Sequence, residues 1–423
     1  MIRRLFRPPK RKSKRRKIYS IILIVFIFIS CFYGRFDIVN GFEFNSNIAY
    51  ADSSEQTAEL EQQLQEEIDN QIGNLDFSAI EDIITKLSTD AKSLFSADSF
   101  VEKINYVISG EYAENSESFF SSVLSIFWQG LKDFLPIIAS IISISILGGM
   151  VSNLKPATNG KSVGNIIHFV TYGIVIIFLG VSLVEIIKIT TSTLTTIKSM
   201  FDGIFPVLLT LLTAVGGTVS VGIYQPAIAL LSNIFISFIT YILLPIFIFS
   251  MVFSIVGNLS NNIKLDKFVS FLQGAFKWIM GLCFTIFLGF VSIQGIMAGA
   301  VDGLSIRTAK YAIKSYIPVV GGYVSDGLSI IMASSMLIKN AVGGVGLFLL
   351  FSTVISPVIN LALFILSLKF MAGIIEPIGD KKTANFISDI SNSLSLLVAL
   401  LVAVSFMYLV ITGLIMCSAN LVV

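Results

Sequence analysis

The residues that most suggest chemistry lie in an apolar stretch in which one five-residue sequence occurs twice. Asp302-Gly-Leu-Ser-Ile306 recurs 24 residues later as Asp326-Gly-Leu-Ser-Ile330. An Asp-Gly pair is typical of a turn, and glycines weaken a helix. We therefore predict a short degenerate repeat whose units begin with a turn, continue as a lysine-bearing helix and end at paired glycines. The later parts of the two units are Ile313-Lys314 with Gly321-Gly322, and Ile338-Lys339 with Gly343-Gly344.

Charged side chains follow both copies of this repeat. Arg307, Lys310 and Lys314 are spaced i, i+3 and i+7, which places them on one helix face. That face is either a surface helix held by anionic headgroups, or a charged collar or docking surface at the inner mouth of a conduit. Asp326 and Lys339 lie in membrane-compatible sequence, where ions usually pair or line a wet path. The candidate pore or partner-contact residues are Asp302, Arg307, Lys310, Lys314, Asp326 and Lys339.

Familiar catalytic motifs do not occur in the chain. With one histidine, His168, it cannot form an HExxH zinc site, and its three cysteines form no CxxC motif. Gly160-Lys161-Ser162 ends like a phosphate-binding loop, but Lys155 stands where the first glycine belongs. No GxSxG sequence is present. We predict a protein that is not an enzyme, with no catalytic residue, no metal, no cofactor and no nucleic-acid partner.

The composition requires a lipid solvent for most of the chain. Of 423 residues, 54% are hydrophobic and only 13% charged, whereas a soluble protein has about a quarter charged residues. The mean hydropathy is +0.84. We expect an all-α, polytopic helical bundle over residues 119–423, with a glycine-rich interrupted block at 302–346. The predicted spans are Phe134–Val151, Val163–Ile187, Ile204–Val221, Ala227–Val256, Phe271–Met297, Leu347–Met371 and Leu394–Met416.

Two further regions precede this membrane domain. Residues 1–51 combine ten Lys/Arg before residue 18 with an apolar run, Ile18–Tyr33, typical of a signal peptide cleaved after Ala51 or of an uncleaved anchor. Residues 52–118 hold sixteen of the 27 acidic residues and should be translocated. Their apolar residues repeat every three to four positions, which predicts short helices that form a self-packed cap or bind a partner. These positions are Leu60, Leu64, Ile68, Ile72, Leu75, Ile80, Ile83, Ile84, Leu87, Val101, Ile104, Val107 and Ile108.

The basic links between spans predict the topology. If the acidic region is outside, the link with Lys155 and Lys161 is inside. The link with Arg307, Lys310 and Lys314 is then also inside, after four further crossings. If Ile317–Gly346 crosses the membrane, which we favour, the three later lysines are inside and the C-terminus is outside. If Ile317–Gly346 instead re-enters on the same side, the three later lysines are outside and the C-terminus is inside. The later lysines are Lys369, Lys381 and Lys382.

Four motifs in the central block give the chain a family resemblance. They are Val291-Ser-Ile-Gln294, Arg307-Thr-Ala-Lys310, Ile317-Pro-Val-Val-Gly321 and Lys339-Asn-Ala-Val-Gly343. In this order and spacing, and in the layout along essentially the whole chain, the sequence resembles the stage III sporulation protein AE family of endospore-forming bacteria. The basic segment Met1–Lys17 is not part of that resemblance.

The resemblance implies a multi-pass subunit of the channel or secretion complex between mother cell and forespore, in the mother-cell-derived outer forespore membrane. The implied partners are ring-forming proteins, a cytoplasmic ATPase, a forespore-side channel protein and membrane lipid, while homo-oligomerisation is left open. One alternative is a self-sufficient ion-coupled transporter that uses Glu185, Asp326 and Lys339. Another is a scaffold that recruits rings through its acidic region.

Overall fold

The computed structural model describes residues 54–96, 99–110, 116–153, 160–259, 265–316, 321–378 and 381–418. Every regular element within these ranges is a helix, so the predicted all-α fold is confirmed. The predicted signal segment, residues 1–51, lies outside them. The chain divides into two units after Leu60, and only residues 54–60 of the first unit are described. The architecture below is that of the second unit, Glu61–Val423.

Four short helices form a cap: α1 (Ser54–Asn74), α2 (Ser78–Thr85), α3 (Thr89–Phe95) and α4 (Phe100–Ser109). Ser88 and Ser99 accept backbone N–H groups at the starts of α3 and α4, and Gly110 ends α4 with a φ of 78°. Most of the predicted apolar positions are inside this cap, because Ile68, Ile72, Ile80, Ile83, Ile84 and Ile104 are all buried, whereas Leu60 is 50% exposed.

The rest of the chain forms long helices. They are α5 (Ser116–Asn153), α6 (Gly160–Ala214), α7 (Thr218–Ala229), the π-helix π1 (Leu230–Phe235), α8 (Ile236–Phe238), the π-helix π2 (Ile239–Leu243), α9 (Leu244–Leu259), α10 (Asp266–Tyr316), α11 (Gly321–Ile378) and α12 (Lys381–Cys417). Within the described ranges, six stretches are long and apolar enough to cross a membrane: Phe119–Val151, Phe169–Ala214, Thr218–Asn258, Asp266–Ile293, Val324–Pro377 and Lys381–Cys417.

The separate spans predicted at Val163–Ile187 and Ile204–Val221 were wrong, because Val163–Ile187 lies within α6, whereas Ile204–Val221 begins in α6 and ends in α7, across the break between Ala214 and Thr218. The polar residues between them do not end the helix, since their hydroxyls donate to carbonyls one turn earlier. Thr190 donates to Ile186, and Thr193 donates to Ile189, at 2.8 Å each. Hydroxyls satisfied in this way need no water and no loop.

The turn–helix–stop repeat predicted around the Asp-Gly pairs was also wrong. Asp302 lies within α10 and Asp326 within α11, and Gly343-Gly344 lies inside α11 rather than at its end. Gly343 serves packing, because a Cβ there would lie 2.5 Å from the Cγ atom of Met416 on α12. Such close approach of helices is a common use of small residues in membrane proteins.

Neighbouring helices alternate in direction. Gly148 of α5 lies against Thr171 of α6. Between α9 and α10, the rings of Phe253 and Phe268 are 5.0 Å apart. Ser391 of α12 donates to the carbonyl of Ile365 on α11. The C-terminal ends of α5, α9 and α11 and the N-terminal ends of α6, α10 and α12 therefore lie at one end of the bundle, which we call the basic-link end. The described lysines at this end are Lys161, Lys267, Lys381 and Lys382.

This arrangement corrects the predicted position of Arg307, Lys310 and Lys314. Between Lys161 and Arg307 the chain makes three passes, through α6, through α7–α9 and through α10, rather than four. An odd number of passes places the last turns of α10 at the end opposite the basic-link end. By contrast, Lys381 and Lys382 begin α12 at the basic-link end. Residues 321–346 belong to the same helix, α11, as the span predicted at Leu347–Met371, so they are not the separate crossing that was favoured.

This arrangement makes a labelling prediction. In a cysteine-free background, Tyr311→Cys and Lys381→Cys should react with a membrane-impermeant thiol reagent from opposite sides, because Tyr311 is 73% exposed on α10 and Lys381 is exposed at the basic-link end. With the positive-inside orientation, intact spheroplasts should label only the position-311 variant, and permeabilised ones both. Labelling of both positions from the same side would contradict the three-pass arrangement.

Candidate functional site

The cap packs against the N-terminal half of α11 through polar contacts. The Gln71 amide donates to the Ser334 hydroxyl at 3.0 Å and to the Ile331 carbonyl at 3.3 Å, while the Ser335 hydroxyl donates to the Gln71 carbonyl oxygen at 2.7 Å. Ser334 and Ser335 are buried. One glutamine side chain therefore donates a hydrogen bond to one serine and accepts a hydrogen bond from the next. Both serines lie on a helix that is apolar enough to cross a membrane.

A second attachment is centred on Phe348 of α11. Its ring centre lies 6.0 Å from that of Phe95 and 5.7 Å from that of Phe119. The ammonium of Lys103, only 4% exposed, lies 5.0 Å from the centre of the Phe348 ring, a cation–π contact. Burial lowers the pKa of Lys103 below its ordinary value. A further contact is the Ser356 hydroxyl, which donates to the Asp90 carboxylate at 2.6 Å.

The cap is internally joined by a carboxylate. Both the hydroxyl of Ser99 and the backbone N–H of Phe100 donate to the same oxygen of Glu81, at 2.8 Å each. This contact connects α2 with the start of α4 and complements the positive end of the α4 helix dipole. The apolar stripe of the sequence left two possibilities open, a self-packed cap or a region that binds a partner, and these contacts join the cap helices to one another and to α11.

Lys339 is the only one of the six candidate residues whose side chain the structure describes as buried. It is 0% exposed, and its ammonium donates to the backbone carbonyl of Ser418, 2.5 Å away. The hydroxyl of the same Ser418 is 2.9 Å from the hydroxyl of Tyr224 on α7. The lysine therefore helps to hold the end of α12 against α11 and α7.

The other candidate residues do not join Lys339 in one site. Asp302, Arg307, Lys310 and Lys314 lie on the last third of α10, where only the backbone is described. Asp326 is exposed near the start of α11, about 20 Å along the helix from Lys339.

Glu185, the third residue of the transporter hypothesis, is exposed on α6. In the described part of the chain, the charges proposed for ion coupling thus face in different directions. No group of three or more metal-ligating side chains occurs among the residues the structure describes.

A groove that the sequence analysis did not identify lies between α6 and α7–π1. Its cavity has a volume of about 450 Å³. The signal was present in the sequence, since Asp202, Pro206, Thr210 and Thr213 recur on one face of α6. It was missed because this region was assigned to a loop followed by a separate span. The lining residues are Phe201, Asp202, Phe205, Pro206, Leu209, Thr210, Thr213, Val221, Gln225, Ile228, Ala229 and Asn233.

These features define a class: a polytopic α-helical membrane protein whose small acidic cap packs on its own membrane helices. Sequence comparison identifies the family. A sequence model of the Stage III sporulation protein AE family matches residues 98–419, and the chain belongs to that family. It is 27% identical over 314 residues to the Stage III sporulation protein AE of Bacillus subtilis (strain 168), covering 74% of this chain and 79% of that protein. No solved structure matches it.

The match confirms the resemblance found in the central motifs. It begins at residue 98 and so includes α4 to α12 but not α1 to α3. The helices that carry most of the acidic surface therefore precede the matched region.

The cap contacts make a first prediction. Gln71→Ala should increase hydrogen exchange and protease cleavage in α1 several-fold, because it removes the hydrogen bonds that join α1 to Ser334 and Ser335, each worth about 0.5–1.5 kcal/mol. Gln62→Ala is the matched control, because Gln62 is exposed and bonds only to Glu66 of its own helix. Equal protection of α1 in the two variants would contradict a docking role for Gln71.

Lys339 makes a second prediction. Lys339→Met keeps an unbranched side chain of similar length but leaves the Ser418 carbonyl without this donor, so the thermal unfolding midpoint should fall, by the equivalent of about 1–3 kcal/mol. Lys188→Met, at an exposed lysine of α6, is the control and should change the midpoint little. An unchanged or raised midpoint in the Lys339 variant would show that the buried ammonium does not stabilise the bundle, as some buried charges do not.

Proposed function

We propose that this chain is a non-enzymatic, multi-pass membrane subunit of the channel or secretion complex that joins mother cell and forespore during endospore formation. The observation that carries the proposal is the family match over residues 98–419, on a fold whose described part has six helical stretches long and apolar enough to cross a membrane. The proposed location is the mother-cell-derived outer forespore membrane, with the cap in the space between the two membranes.

The cap supports a role in assembly. Its buried face is used by the chain's own helices, whereas the opposite face of α1 exposes Glu61, Glu66 and Asp69. Exposed carboxylates of one sign steer association with a partner of opposite charge and fix its orientation. We propose that this face contacts the ring-forming subunits of the complex.

The basic-link end supports a contact on the other side of the membrane. With the positive-inside orientation, the helix ends that carry Lys267, Lys381 and Lys382 face the mother-cell cytoplasm. A cytoplasmic ATPase would dock there. Arg307, Lys310 and Lys314 would then lie on the cap side and contact the forespore-facing partners rather than the ATPase.

A self-sufficient transporter is less well supported. Ion coupling requires charged groups that meet in or beside a wet path, and Glu185 and Asp326 are exposed while Lys339 is buried and bonded to the end of α12. Any path for solutes would therefore be shared with other subunits or other copies.

The test is affinity purification of the tagged full-length chain from sporulating cells. The wild type should recover other envelope-spanning subunits, and the triple variant Glu61→Gln/Glu66→Gln/Asp69→Asn should recover at least several-fold less of the ring-forming partners. The matched control is Asp133→Asn/Glu185→Gln/Glu376→Gln, which removes the same charge from exposed positions outside the cap.

The outcomes separate the hypotheses. Loss of recovery in the cap variant alone supports assembly through the cap. Recovery of no envelope partner by the wild type, together with solute flux by the purified chain in liposomes, would contradict the proposal in favour of the transporter.

A further inference from the structure

Contacts between helices determine how high each exposed side chain lies in the bundle. Phe119 of α5 lies against Phe348 of α11, with ring centres 5.7 Å apart. From this contact both helices run toward the basic-link end. Nine residues further along α5 is Trp128, and eight residues further along α11 is Ser356. Trp128, which is 53% exposed, therefore lies at about the same height as Ser356.

A second exposed tryptophan is placed by the contacts of α10. Gln273 of α10 donates to the Ser393 hydroxyl of α12 at 2.7 Å. Both helices run from the basic-link end toward the cap, so five residues further on Trp278 lies beside Val398. Trp278 is 69% exposed.

The two tryptophans have the same height. The hydrogen bond from Ser391 of α12 to the Ile365 carbonyl of α11 sets the register of these antiparallel helices. Nine residues from it toward the cap, α11 reaches Ser356 and α12 reaches Leu400. Because Trp278 lies beside a residue only two positions before Leu400, it is about 3 Å along the bundle from Ser356. We call this height, shared by Trp128, Trp278 and Ser356, the tryptophan level.

Charged side chains accompany both tryptophans. Lys277, next to Trp278, is exposed, as are Lys132 and Asp133, about one turn from Trp128. A charge at the centre of a bilayer is costly, whereas a lysine at headgroup level keeps its ammonium in water while its methylene groups contact apolar surface. Tryptophan is itself enriched at membrane interfaces. The tryptophan level therefore has the composition of an interface rather than of a hydrocarbon core.

The cap reaches down to the same level. Its contacts along α11 run from Ser334 through Phe348 to Ser356, whose hydroxyl donates to the Asp90 carboxylate. The cap helices expose charged side chains, including Lys92 beside this contact. Hydrocarbon that extended past Ser356 toward the cap would have to surround them.

The length of helix below the tryptophan level matches a bilayer. From Ser356 to its end at Ile378, α11 runs about 33 Å, and the hydrocarbon core of a bilayer is about 30 Å thick. Leu366 and Phe370 are exposed in this part of the helix, as contact with lipid requires. In the other direction, from Ser356 back to Gly321, the same helix runs about 52 Å.

We propose that the lipid headgroup layer on the cap side of the membrane lies at the tryptophan level, so that the bilayer surrounds only the basic-link part of the bundle. The remaining parts of α10 and α11, each about 50 Å long, then stand outside the bilayer together with the cap. This inference requires the chain to lie in a membrane. It does not depend on the partners of the proposed function, so either can fail without the other.

The competing position has the bilayer centred near Trp278. Ile286 and Ile293 lie on the cap side of Trp278 and are exposed, and the apolar stretch Asp266–Ile293 by hydropathy alone would place them in lipid. That position, however, puts Lys277 near the bilayer centre and hydrocarbon beside the charged cap helices. The two positions predict different depths for Trp278, which a measurement of depth can distinguish.

The experiment uses the full-length chain in phosphatidylcholine vesicles whose acyl chains carry bromine, a quencher of tryptophan fluorescence, either near the headgroups or near the bilayer centre. The chain contains two tryptophans, so Trp278→Phe and Trp128→Phe each leave one native reporter. In a tryptophan-free background, Phe271→Trp and Ile286→Trp move the reporter along α10 by about 10 Å toward the basic-link end and about 12 Å toward the cap. Both positions are exposed, so neither substitution fills the core.

Each native tryptophan should be quenched several-fold more by bromine near the headgroups than by bromine near the bilayer centre. Phe271→Trp should show the reverse preference, and Ile286→Trp should be quenched little by either lipid. Stronger quenching of Trp278 from the bilayer centre would overturn the proposal in favour of the competing position. Quenching of Ile286→Trp as strong as that of Trp278 would also overturn it, as would the absence of quenching of both native tryptophans. If an inserted tryptophan lowers the unfolding temperature, the two native tryptophans decide alone, because each is read in its natural position.

Discussion

One constraint underlies the rest of the structure. Where a helix runs through apolar surroundings, its polar groups must find their hydrogen-bond partners inside the protein. Hydrocarbon supplies no partners, and each unsatisfied group costs several kcal/mol. The hydroxyls of α6 therefore bond to carbonyls of their own helix, the Lys339 ammonium bonds to Ser418, and the serines of α11 bond to Gln71. The same requirement keeps the helices continuous through sequence that is polar or rich in glycine.

The cap has a second consequence for where lipid can lie. A spanning helix needs about 20 residues, but α11 has 58. Its N-terminal half is covered on one face by the cap helices. These helices expose carboxylates, and a carboxylate is costly to place in hydrocarbon. Much of the apolar surface of α11 is thus buried against the cap and against α12. The high hydropathy of α11 therefore reflects contact with protein as well as any contact with lipid.

Much of this architecture was predictable from local patterns, and the errors have a common cause. The stripe from Leu64 to Ile108 predicted the cap helices, because apolar periodicity depends only on neighbours in the chain. The boundaries within α6 and at the Asp-Gly pairs were wrong, because a polar or glycine residue can serve either as a break or as a contact between helices. Gly343 lies against Met416, seventy-three residues later, and no local pattern records that contact.

The candidate site shows the same limit. The sequence identified Lys339 as unusual because a lysine stands out in apolar sequence, yet its partner is a backbone carbonyl, which has no sequence signature. The number of passes mattered most for Arg307, Lys310 and Lys314, since merging two spans into one helix moved these residues to the opposite end. Asp202 was overlooked because its groove requires α7 and π1, which approach α6 only in the folded chain.

The continuity of three helices also has a mechanical meaning. α6, α10 and α11 contain 55, 51 and 58 residues, so each is a helix of about 75 to 87 Å, in which Pro206 of α6 and Pro357 and Pro377 of α11 each remove one backbone hydrogen bond. A long helix that resists compression and bending transmits a displacement from one end to the other with little change in its size. Between α7 and α9, by contrast, two π-helical segments interrupt the regular pattern of hydrogen bonds. The bundle therefore combines three long helices with one segment that two π-helices interrupt. A displacement at the basic-link end would reach the cap through the long helices, while the interrupted segment absorbs the change in length.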